Sequence, residues 1–178
     1  MSKGKESKIN LVTILIIPIA VAINWVGGTL AGLLKLPIYL DSIGTFLVSI
    51  LAGPIVGCIT GILSNVVVSL TAPTALPYAI VSAIFGITTG LLAKKGMFID
   101  GKRFIISGVL IILMGVFASI FVVVVFFGGF DGTTSSAIIG AMITAGVPFW
   151  PAQVIGNFIA EIPDKFISLL IPYMVIRN

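Results

Sequence analysis

The chain has 178 residues, 58% of them apolar and 9% charged, with a mean hydropathy of +1.26. Soluble domains run about 25% charged and 45–50% apolar, so the composition points to a single integral membrane domain over residues 1–178. The net charge of +4 comes from a few cations that flank apolar runs, which suits membrane topology and not nucleic-acid binding.

Histidine is absent, and Cys58 is the only cysteine. These two facts remove His-based acid–base chemistry, disulfide frameworks and the usual zinc sites. The apolar runs are long and continuous, without the roughly 10-residue alternation of a membrane β-barrel. The expected fold class is therefore all-α, a bundle of six transmembrane helices.

In chain order, residues 1–8 (MSKGKESK) read as a cytoplasmic tail. The first span covers about Ile9–Leu34 with Pro18 inside it, too long for the apolar core of a signal peptide. The second, about Leu40–Leu51, is short, and the third and fourth cover about Pro54–Leu70 and Leu76–Ala93. The fifth runs from Phe104 to Phe127 and the sixth from Pro148 to Ile176, broken or kinked near Pro163. With six spans, Lys3, Lys5 and Lys8, the cluster Lys94, Lys95, Lys102 and Arg103, and Arg177 all fall on one side. The positive-inside rule makes that side cytoplasmic, with both termini there and the protein in the plasma membrane. Outer connections are then 35–42, with Lys35, and 128–147, which holds a weakly apolar run, Ser135–Ala145, too short to span.

Gly53, Gly57 and Gly61 recur every fourth position, a spacing that lets helix backbones approach closely. Such a face suits packing within the chain or docking of another membrane subunit. In the last span, Gln153, Asn157 and Glu161 follow Trp150 along one helical face, with Asp164 three residues further on. Intramembrane polar groups of this kind face an interior or a water-filled cavity. Trp150, Gln153 and Asn157 are read as ligand contacts, Asp164 and Lys165 as a brace or gate, and Glu161 as either. Trp25 with Asn24, Tyr39 with Asp41, Asn65, and Tyr78 with Ser82 supply further polar and aromatic groups at the same outer depth. An apolar pocket with a few placed polar groups is the usual form of a small-molecule site. Asp41 also suits a helix N-terminal cap. No Walker A or other catalytic motif occurs, so no enzymatic activity, metal or cofactor is expected in this chain.

The stretches LDSIGTFLVSILAGPIVGCITGILSNVV, PYAIVSAIFGITTGLLAKKGMF and AEIPDKFISLLIPY, in an outward-facing six-helix cup, resemble the substrate-binding S-components of energy-coupling factor (ECF) transporters. The resemblance extends from Ile9 over nearly the whole chain. It implies a subunit that captures a vitamin or similar small organic micronutrient and acts with an ECF transmembrane coupling subunit and two cytoplasmic ATPases, which hydrolyse the ATP. It also implies that the first connection, about Lys35–Ser42, acts as a lid. The candidate docking surface is Gly53, Gly57 and Gly61 with Ala20. The family's Ala-x-x-x-Ala pattern is not met, since Asn24 stands four residues after Ala20. The aromatic residues suit a planar ring such as a vitamin, nucleobase or nucleoside. The competing expectations are a small secondary carrier or channel acting as a homo-oligomer, and a membrane scaffold without ligand.

Overall fold

The computed structural model describes residues 11–34, 36 and 38–177. The tail 1–8, the expected start of the first span at Ile9, and Lys35 lie outside the described residues. Among the described residues the chain is all-helical, with seven α-helices and no strand: α1 (Leu11–Leu33), α2 (Ile43–Ala52), α3 (Pro54–Ser69), α4 (Ala79–Lys94), α5 (Gly101–Phe127), α6 (Thr134–Thr144) and α7 (Phe149–Arg177). Two helical stretches, Leu15–Leu33 and Gly101–Phe127, are long and apolar enough to cross a membrane.

Local chemistry sets the breaks. Gly53 sits at φ 92°, a left-handed conformation open to glycine, and Pro54 opens α3 directly after it. α5 starts on an N-cap, with the Asp100 carboxylate accepting the Arg103 N–H at 2.9 Å, and ends at Gly128 in the left-handed region. Of the expected break or kink near Pro163, the break does not occur: α7 continues through Pro163 and Pro172. Pro163 lies on the exposed face, while its neighbours Asp164 and Lys165 are buried and bonded inward. Those inward ties hold the helix across the hydrogen bond that proline deletes.

The tightest seam joins α3 to α4. A Cβ on Gly61 would meet the Ser82 carbonyl oxygen at 2.5 Å, and one on Gly86 or Gly90 would run into the backbone of Gly57 or Pro54. Ala20 is 1% exposed and receives Gly44 of α2 against its carbonyl. The docking assignment for Gly53, Gly57, Gly61 and Ala20 therefore changes. Gly57, Gly61 and Ala20 are covered by α2 and α4, and Gly53 makes the α2–α3 turn. Small residues admit the nearest available backbone, and here that backbone belongs to the same chain.

These contacts also sort the two ends of the bundle. Gly90 against Pro54 puts the α4–α5 turn beside the α2–α3 turn. Tyr173 stacks on Phe104 at 4.3 Å between centroids, which brings Arg177 to the same end. Lys94, Lys95, Lys102, Arg103 and Arg177 thus share one end, and the connection after α1, the Pro73–Ala75 turn and α6 gather at the other.

Candidate functional site

The end away from the cations is hollow. A cavity of about 290 Å³ lies among α3, α4, α5 and α7, roofed by the connection before α2 and the segment leading into α6. A more open neighbour of about 460 Å³ lies toward α1 and shares Tyr39, Asp41 and Asn65 as a wall.

Lys165 is its electrostatic centre. Its side chain is 3% exposed and its ammonium donates to Asp164 Oδ2 at 2.5 Å and to Ser42 Oγ at 3.4 Å. Asp41 Oδ1 and Glu161 Oε2 each stand 3.7 Å away, and the Phe85 ring centroid 4.7 Å away. Neighbours on a helix do not share a face, yet the long lysine stem folds back and closes the Asp164 pair. A buried pair of this kind is tolerated when the remaining lone pairs are also bonded. Asp164 meets that condition, since its Oδ1 accepts the N–H groups of Tyr39 and Leu40 at 2.8 and 2.7 Å. One carboxylate therefore ties the connection after α1 to the middle of α7. Leu40 holds φ 51° to make this turn, and the missing side chain of Gly27 leaves room for its carbonyl.

The roof has its own acid. Asp131 accepts from Tyr78 Oη, from the Thr133 N–H and hydroxyl at 3.0 and 2.7 Å, and from Ser136 Oγ. Burial pushes the Asp131 carboxyl up, but these donors outweigh it and hold the group below the usual carboxylate range. Burial, with the adjacent Asp131, raises the Tyr78 phenol far above its ordinary value, so Tyr78 stays a donor. Burial also raises Tyr39, whose hydroxyl lies 3.2 Å from Ser135 Oγ.

Six of the expected ligand residues meet around this cavity: Tyr39, Asp41, Asn65, Tyr78, Asn157 and Glu161. Trp25 lies in the wall of the neighbouring pocket and is 44% exposed. Gln153 is fully buried and donates to the Gly129 carbonyl at 2.8 Å, so it braces the connection after α5 and does not line the cavity. Trp150 is 61% exposed, packed edge-on to Phe149 and away from the cavity. It shares the angular face of Asn157, but seven residues lift it about 10 Å along the axis, and its ring stays outside the packing that Phe149 and Ala152 make in the same turn.

Asn24 has a different job. Its Oδ1 accepts the Gly44 N–H at 2.7 Å, and its Nδ2 donates to Thr45 and Ser64 hydroxyls at 2.8 Å each, pinning α1, α2 and α3 together. Sequence reasoning missed Lys165 as a cavity residue, along with Asp131, Ser119 and Phe85. Asp131 had a signal, as the one acid within 128–147. Ser119 and Phe85 had none, because a serine or phenylalanine in an apolar helix looks the same on any face. Among the described residues no group of His, Cys, Asp and Glu could hold a metal ion. The Lys165 ammonium occupies the space among the carboxylates.

No protein-family model matches the chain, and no curated protein or solved structure shows significant similarity to it.

Proposed function

We propose that the chain is a multi-pass membrane protein that binds a small organic molecule, serving as the S-component of an ECF-type importer. In this reading α1, α2, α3, α4, α5 and α7 are the six spans, and α6 lies in the last outer connection. The observation that carries it is the roofed cavity with Lys165 and Glu161 in its floor, at the end away from the cations. Charged groups inside a membrane bundle are costly and mark substrate sites or pathways. Cations collected at the far end fit a cytoplasmic face there, and hence an outward-facing cup. At about 290 Å³ the cavity sits at the lower bound of small-molecule sites, which run about 300–1,000 Å³. Transport would then draw on a coupling subunit and two ATPases in other chains.

Co-purification from a host carrying the native neighbouring genes tests this. Recovery of two ATPases and a large membrane subunit supports the reading. A stable homo-oligomer that conducts ions on its own overturns it in favour of a channel.

A further inference from the structure

The cavity wall is stocked with acceptors. Among the described residues, Asp41, Asp131 and Glu161 line it against one cation, Lys165, whose shortest contact is with a fourth acid, Asp164, just behind the wall. Asp131 is saturated by its own serine, threonine and tyrosine donors. Glu161 is not. Ser119 donates to its Oε1 at 3.0 Å, while Oε2 is buried, has the Lys165 ammonium 3.7 Å away, and among the described residues accepts no hydrogen bond. Such an oxygen calls for a donor, because a buried acceptor left without one is costly, and more so when charged.

Two amides face the same way chemically. Asn65 and Asn157 each donate Nδ2 to a main-chain carbonyl, Gly61 at 3.1 Å and Gln153 at 2.8 Å. A carbonyl accepts only, so those bonds fix the amide orientation and leave each Oδ1 as the free end. Neither Oδ1 receives a hydrogen bond among the described residues. An anionic ligand would bring further negative charge to a wall where carboxylates already outnumber the ammonium, and would find Lys165 already engaged. Tyr78, Val81 and Phe85 offer an apolar and aromatic surface on the α4 side.

We propose that the ligand is a small organic cation with N–H donors on an aromatic or apolar body, its charged end at Glu161 and its donors on the Asn65 and Asn157 oxygens. This rests on the reading of the cavity as a ligand cup. A delocalised nitrogen cation beside Phe85 and Tyr78 also gains from the ring faces.

The test is a charge series on the purified full chain in detergent micelles, by calorimetric titration and thermal shift. The probes are benzamidine, benzamide and benzoate, near-isosteres of charge +1, 0 and −1. Saturable binding in the order benzamidine, benzamide, benzoate is expected. Glu161→Gln, which keeps an oxygen for Ser119, is expected to weaken benzamidine by at least about tenfold, or ~1.4 kcal/mol, while Trp150→Ala leaves it unchanged. Equal or tighter binding of benzoate overturns the inference and leaves the cup in place. Benzamidine binding that survives Glu161→Gln overturns it too, as does the failure of all three probes to bind. Should Glu161→Gln not fold, the wild-type series decides by itself. Co-purification tests the transporter reading separately, so the two can fail independently.

Discussion

The same two helices, α3 and α4, build opposite environments at their two ends. Toward Gly53 and Lys94 they press backbone to backbone through Gly57, Gly61, Gly86 and Gly90, with no room for a side chain. Toward Asn65 and Tyr78 they part and wall a cavity that holds buried charge. The seam fills its space within the chain, although the buried Thr89 hydroxyl there lacks a partner among the described residues, whereas the hollow end leaves a carboxylate oxygen and two amide oxygens open. Stability and binding are thus separated along the helix axis, and substitutions at the two ends should behave differently.

The largest expected effect tests whether the hollow end is only a binding site. Lys165→Met leaves Asp164 buried without its counter-ion, and breaking such a pair costs about 3–5 kcal/mol. A large fall in melting temperature in detergent is expected, and a wild-type melt would show that the Lys165–Asp164 pair does not hold the fold. Next comes the seam: Gly86→Ala puts a methyl into the Gly57 backbone, with a loss of about 1–3 kcal/mol by overpacking, read from the same melts. An unchanged melt would mean that α3 and α4 slide apart freely. Asn157→Leu sharpens the contrast. It is expected to weaken benzamidine up to about tenfold while stability falls by about 1 kcal/mol at most.

The roof supplies a pH test. Because the Asp131 pKa is depressed by folding, its contribution is present above the ordinary carboxylate value and lost as pH falls through the lower folded value. Amide hydrogen exchange around 129–136 should accelerate there while the α3–α4 seam stays protected; parallel acceleration would break the distinction between roof and seam. The smallest effect is Trp150→Ala, expected within about 0.5 kcal/mol of wild type and neutral for binding, which titration and melting together would check.

Much of the framework is legible in the residues. The apolar runs mark the helices to within a few positions, Gly53–Pro54 marks a break, and the weak run at 135–145 emerges as α6. The stripe on α7 is partly legible. Period alone groups Trp150, Gln153, Asn157 and Glu161, but depth and neighbours divide them: Trp150 is left exposed beside the buried Ala152, Gln153 is taken by the Gly129 carbonyl, and Asn157 and Glu161 reach the cavity. Pro163 does not break the helix, because a proline's local cost says nothing of the inward bonds that keep a helix running. The glycine repeat likewise identifies a close helix contact without naming the partner.

The sequence by itself determined the all-helical class, the positions of the helices, and a set of polar residues too costly to leave in an apolar setting without partners. Those properties follow from periodicity, backbone chemistry and the expense of burying charge. Only the tertiary structure decided which of those residues meet. Asp164 ties down residues 39 and 40, more than a hundred positions away, and Asp131 is brought to Tyr78. Which acceptors remain open, Glu161 Oε2 foremost, depends on contacts between distant segments, and no local pattern encodes them.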